Sequence, residues 1–310
     1  MTKVLAIQKL GFVLCLAAAL LASALYAPMP ASAQQRVEIS DPEALLEFFE
    51  SINYTPEAWQ AGIRDVPRAY IMKIGPKWQI NSQNIAVINK KRIFFRALGP
   101  LVLRANEMVL ADREHLLAII ETGKPSGNDT VWLRELAAEY GVTESVEMEP
   151  AAEQLDELLR RVDGVPVSLL LAQGAEESGW GTSRFAAEGN ALFGQWTWGG
   201  KGIKPKDQRE ELGDYRIAAF DTPLESVSAY LHNINTHPAY VDLRSQRALM
   251  RQSGELLSGW KLAETLTQYS ERGADYVGSL HAIMRVNKLE ATDEAKLLDG
   301  EEWHLYPTQQ

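Results

Sequence analysis

The sequence predicts a mainly α protein with a small β element set between helices. Apolar residues recur at helical spacing along most of the 310 residues, while strand-type alternation is scarce. Residues 167–175, Val-Ser-Leu-Leu-Leu-Ala-Gln-Gly-Ala, carry no charge at all. A helix apolar on every side belongs in the interior. Residues 193–220 change character. Phe193–Trp198 and Tyr215–Phe220 read as two strands, separated by a turn at Gly199–Gly202 and a charged loop over 204–213.

The chain opens on Lys3 and Lys9, then Leu10–Ala27 without a charge, then Pro28, Pro30 and the small-residue run Ala31-Ser32-Ala33. This predicts a secretory signal peptide over residues 1–33 and a periplasmic or exported protein. The apolar run is nearly long enough to span a bilayer, so an uncleaved inner-membrane anchor is the alternative. Cys15 is the one cysteine and has no small residues just before it, which argues against lipidation. A single Cys excludes a disulfide scaffold and a Cys-based zinc site.

Residues 34–150 are expected to form a helical accessory region. Asp41-Pro42-Glu43 starts a short helix with Leu45, Leu46, Phe48 and Phe49, and Val66-Pro67 and Gly75-Pro76 read as breakers. Over residues 83–121, Ile85, Ile88, Phe95, Leu98, Val102, Ala105 and Val109 share one helical face. Gly99-Pro100 should kink or split that helix. Lys90-Lys91-Arg92 reads as a solvated face. A helix over Thr130–Tyr140 ends at Gly141, and the acidic, unpatterned residues 142–150 suit a domain boundary.

A second domain is expected over 151–291. Leu155, Leu158, Leu159 and Val162 mark a helix stopped by Gly164, and Pro166 opens the chargeless helix, which Gly179 ends. Thr222-Pro223-Leu224-Glu225 is a capping-box start for a helix burying Val227, Tyr230, Leu231 and Ile234. Two more helices follow, around Leu262, Leu266 and Tyr269 and around Tyr276, Leu280, Ile283 and Met284. The acidic tail, 292–310, is expected to pack loosely.

Chemistry concentrates where the chargeless helix ends. Glu176 and Glu177 sit there, followed by Ser178-Gly179-Trp180-Gly181. Desolvation and the negative end of the helix dipole both disfavour a carboxylate, and so raise its pKa toward the range of a general acid. Glycoside cleavage needs such an acid to protonate the leaving alkoxide. The two glutamates differ by about 100° around the helix, and the sequence leaves open which faces a cleft. Trp180, Trp196 and Trp198 are three of eight Trp, and indole faces stack on sugar rings. A second carboxylate is sought in the loop Asp207, Glu210, Glu211 and Asp214, with Glu211 the choice.

Other chemistries are set aside. The net charge of −10 disfavours a nucleic-acid partner, since phosphate contacts need clustered cations. His232 and His237 have no acid placed to complete a zinc triad, Ser178 lacks a nucleophile-elbow pattern, and Gly199–Gly202 lacks phosphate-loop spacing. Neither a metal nor an organic cofactor is expected.

The run Ala175-Glu176-Glu177-Ser178-Gly179-Trp180-Gly181, followed by Asn190-Ala191-Leu192-Phe193-Gly194, resembles the glucosaminidase-type peptidoglycan hydrolases of glycoside hydrolase family 73. The likeness is closer still to their Bax-like members. It runs on through Gly-Thr-Ser-Arg-Phe (181–185), Gly-Gln-Trp (194–196), Ala-Phe-Asp (219–221) and Asn-Ile-Asn-Thr-His-Pro-Ala-Tyr (233–240). It is strong over 165–290 and weaker at Val66-Pro67-Arg68 and Ala97–Leu101. The resemblance implies a lysozyme-like fold, with a β-hairpin lobe over the active-site cleft. It places the general acid on Glu177 and a cleft tyrosine on Tyr276. With the aromatic residues above, it suggests substrate contacts at Trp180, Asn190, Phe193, Trp196 and Trp198.

The expected function is therefore an exported peptidoglycan hydrolase cutting the β-1,4 bond after N-acetylglucosamine. A muramidase or lytic transglycosylase using the same Glu is the alternative among enzymes. A non-catalytic wall-binding or regulatory module is the alternative of another class.

Overall fold

The computed structural model describes residues 34–75, 77–123, 125–208, 213–268 and 272–308. The leader expected over 1–33, the candidate Glu211 and Tyr269 lie outside the described residues.

The chain begins with β1 (Gln34–Ile39), α1 (Pro42–Ser51), α2 (Pro56–Gln60) and β2 (Asp65–Ile71). A short α3 (Trp78–Asn81) leads to the long α4 (Val87–Thr122), then α5 (Asn128–Glu139) and α6 (Ala152–Arg161). The chargeless helix is α7 (Val167–Ser178), followed by α8 (Arg184–Gly189). Three short strands follow, β3 (Trp196–Thr197), β4 (Gly202–Ile203) and β5 (Arg216–Ala218). Then come α9 (Pro223–Thr236), α10 (Val241–Gln252), α11 (Gly259–Ala263), α12 (Ala274–Asn287) and β6 (Lys296–Pro307). The architecture is mainly α, as the sequence predicts, and the described residues form two small sheets where one β element is expected.

α7 is the hub. Leu169, Leu170, Leu171 and Ala172 are no more than 2% exposed. α4, α11 and α12 pack around the helix. Gly174 permits the close approach of α4, since a Cβ there would lie 2.7 Å from Leu98 Cδ2. The first turn of α7 is tied by Asp293, whose carboxylate accepts from Ser168 N and Ser168 Oγ, both at 2.8 Å, and from Gly259 N at 3.0 Å. An acid at this end satisfies free N–H groups and opposes the helix dipole.

The structure departs from four of these expectations. The tail does not pack loosely: β6 is the central strand of a parallel sheet ordered β1-β6-β2. Its partners lie more than two hundred residues back in the chain, and local sequence carries no trace of such pairing. Val66-Pro67 does not break β2; the register shifts between Val66 and Arg68, so Pro67 sits at an irregularity where no ladder donor is needed. α4 runs through Pro100 as one helix, held by its burial between neighbours on both sides. The β element is also richer than a hairpin, with β5 paired to both β3 and β4. Residues 34–310 form one compact unit of their own.

Sequence periodicity missed α10, because its buried face is Leu243, Arg244, Arg247 and Met250. Arg247 is fully buried and donates to Asn235 Oδ1 at 2.8 Å and Arg160 O at 2.8 Å. Asp163, itself 2% exposed, pairs with Arg251 at 2.8 Å and lies 3.7 Å from both Arg113 and Arg247. Removing one partner of a buried ion cluster strands the others' charge. Asp163→Ala should cost about 3–5 kcal/mol in urea unfolding, whereas loss of an exposed pair such as Lys261–Glu255 should cost no more than about 1 kcal/mol.

Candidate active site

α7 ends abruptly. Gly179, Trp180 and Gly181 all adopt positive φ, at 57°, 64° and 74°. Glycine takes that conformation without penalty, and the Trp between them is forced into it. Ser178 anchors the turn: its hydroxyl donates to Gly174 O at 2.5 Å and accepts from Gly181 N at 2.8 Å. Trp78 Nε1 adds a bond to Trp180 O at 3.1 Å. The last helical turn is therefore rigid, and it aims two glutamates in different directions.

Glu176 faces the exposed side and pairs with Arg272 at 2.6 Å. Glu177 faces a pocket of about 320 Å³, walled by Phe193, Gly194, Gln195, Trp196, Tyr230 and Asn233. Burial pushes the Glu177 carboxyl above the usual carboxylate range. The Tyr276 hydroxyl partly opposes this by donating to Glu177 Oε1 at 2.9 Å, while the nearby Glu176 charge raises it and Arg272 lowers it. The other oxygen, Oε2, turns toward Gly194, where a Cβ would stand 3.9 Å away.

A buried polar chain supports this carboxyl. Gln173, one turn earlier on α7, donates from Nε2 to Tyr230 OH at 2.6 Å and to Tyr276 OH at 3.3 Å. With Gln173 as donor, the Tyr276 hydroxyl proton is directed at Glu177. Tyr230 stacks on Phe193, centroids 4.2 Å apart and nearly parallel, and forms the pocket floor.

Glu177, Phe193 and Trp196 come together at the pocket, and Tyr276 joins them through its hydroxyl. Trp198 is 65% exposed and meets Trp196 edge-on, centroids 6.1 Å apart, at the rim. Trp180 does not line this pocket; its ring packs edge-on against Phe94 and Phe95 under Lys91. Asn190 does not line it either. Buried, it accepts from Ile74 N and donates to Phe220 O and Asp221 O, tying three segments together. Gln195, Tyr230 and Asn233 also line the pocket, and the sequence alone does not single them out. Gln195 and Asn233 lie within motifs that carry the family likeness, while Tyr230 reads as an ordinary core residue of α9. Among the described residues, no group of three or more His, Cys, Asp or Glu could hold a metal ion.

A family profile described as mannosyl-glycoprotein endo-beta-N-acetylglucosaminidase matches residues 152–289. Protein bax of Escherichia coli (strain K12) is 32% identical over 199 residues, covering 64% of this chain and 70% of that relative. No solved structure matches the chain. The matched domain is of the glucosaminidase class, glycosidases that act on glycans. Within that class the chain belongs to the Bax-like glucosaminidase-domain proteins.

The raised pKa has a consequence for stability. A carboxyl whose folded pKa exceeds its unfolded one contributes stability that is fully present below the unfolded value and is lost as pH rises through the folded value. At neutral pH the buried Glu177 is therefore a cost to the fold. Glu177→Gln should melt at the same temperature as wild type or higher at pH ~7, with that advantage gone near pH ~4, where both proteins present a neutral side chain. Thermal melts followed by circular dichroism at the two pH values check this.

Proposed function

We propose that the chain is an exported peptidoglycan hydrolase that cleaves the β-1,4 glycosidic bond after N-acetylglucosamine, with Glu177 as general acid. The observation that carries this reading is a desolvated carboxyl at a pocket wall with one oxygen engaged by a tyrosine hydroxyl. Tyr276 occupies Oε1, so the transferable proton resides on Oε2, the oxygen turned toward Gly194. Protonation of the glycosidic oxygen from Oε2 lets the C–O bond break without releasing a free alkoxide.

Exposed Trp196 and Trp198 supply faces for pyranose stacking at the pocket mouth. Asn233 and Gln195 offer amide groups to sugar hydroxyl or acetamido groups. The charge built up at the anomeric carbon is met by Glu211 or by the substrate's own 2-acetamido group. An acidic protein acting on an anionic polymer would bind it by stacking and hydrogen bonds rather than by bulk charge.

Four outcomes test the reading. Glu177→Gln should lose at least ~10²-fold in peptidoglycan clearing on a zymogram while retaining its circular-dichroism spectrum. Equal clearing by both proteins would remove the assignment. Mass spectrometry of the released fragments should show reducing-end N-acetylglucosamine; an anhydro-muramic end would instead mark a lytic transglycosylase. Removing the Tyr276 hydroxyl takes away the bond that lowers the Glu177 pKa, so Tyr276→Phe should move the alkaline limb of the pH–rate profile upward. Glu176→Gln removes a raising charge and should move that limb downward, with a milder loss of rate.

A further inference from the structure

The charge of the chain is unevenly spread. It carries 41 acids, yet no Asp or Glu occurs between Asp65 and Glu107. Within that stretch, the corner formed by α3, its connection and the first turns of α4 holds Lys77, Lys90, Lys91 and Arg92. The same corner exposes three aliphatic side chains: Ile80 at 64%, Val87 at 69% and Ile88 at 55%. Folding leaves these apolar groups in water, although α4 buries Ile93, Phe94 and Leu98 one to three turns later.

The two features are interleaved. On α4, Val87 neighbours Lys90 and Lys91, and Ile88 neighbours Lys91 and Arg92, at spacings of three and four. Apolar tips flanked by lysine and arginine match the boundary of a bilayer, where aliphatic groups enter the acyl region and cations meet phosphate. An apolar-walled cavity of about 480 Å³ adjoins the corner, with Lys77, Trp78 and Asn81 in its wall and Ile93 and Phe94 deeper. The carboxylate in its wall, Asp41, is engaged in capping α1 by accepting from Ala44 N at 2.8 Å.

We propose that this corner docks the protein on an anionic lipid surface. A soluble or wall-linked polyanion would satisfy the cations but gives no reason for three exposed aliphatics among them. Lipid satisfies both. Among the described residues no helix is long and apolar enough to cross a membrane.

The test uses residues 34–310, the compact unit that excludes the apolar leader. Sedimentation is measured with phosphatidylcholine vesicles containing about 30% phosphatidylglycerol, and with phosphatidylcholine alone. The wild type should partition onto the anionic vesicles, less so as salt rises, and not onto the neutral ones. The triple variant Lys77→Gln, Lys90→Gln, Arg92→Gln should weaken partitioning by roughly 10²-fold, about fivefold per charge. The triple variant Ile80→Ser, Val87→Ser, Ile88→Ser, with an unchanged circular-dichroism spectrum, should weaken it by roughly tenfold. No binding to anionic vesicles, or equal binding to both kinds, overturns the proposal. Loss in the charge variant with none in the aliphatic variant also overturns it and leaves a polyanion contact. The readout involves no turnover, so it stands or falls apart from the glycosidase reading.

Discussion

The structure around the site depends on the desolvation of one carboxyl group at the end of a buried helix. α7 is enclosed on all sides up to Ala175, and the left-handed turn at Gly179–Gly181 stops it within one further turn. Glu177 is thus too far along to be sealed in the core and too near it to be solvated freely. Its pKa rises for that reason, and the helix dipole acts in the same sense. Moving the helix end by one residue would rotate the side chain by about 100° and send it into the core or out into water.

A chain of hydrogen bonds behind the carboxyl holds it in one geometry. Gln173 and Glu177 share a face of α7, and both reach Tyr276, which α12 delivers from about a hundred residues away in the chain. Tyr230 on α9 receives the other Gln173 bond and forms the floor with Phe193. Three helices therefore converge on a short polar chain inside an otherwise apolar core. Each link is a directional bond in a dry environment, where an unmade bond is costly and alternative rotamers are disfavoured.

Much of this was legible locally. A chargeless run, its glycine stop and the neighbouring Trp cluster point to the candidate site, and the flanking motifs place the family. What remained open was whatever depends on distant partners. Glu176 and Glu177 are equivalent by local chemistry, and distant partners distinguish them: Arg272 pairs with the first, while the second meets Tyr276 and the pocket. Trp180 looks like a sugar platform in sequence, but Phe94 and Phe95 from α4 take up its ring. The sheet that joins β1, β2 and β6 escaped notice because β6 is a mixed acidic strand whose partners are parallel and remote. α10 escaped because the buried Arg244 and Arg247, which donate to backbone carbonyls, interrupt its apolar period.

The chemistry of the site turns on one proton. Carboxyl resonances of protein labelled with carbon-13 at the glutamate side chains can be followed through a pH titration, with Glu177→Gln identifying the relevant signal. The account requires that signal to titrate above all exposed glutamates. If it ionises with the solvated residues, in the ordinary range near 4.3, the carboxyl is not desolvated in solution and the account of the site is wrong.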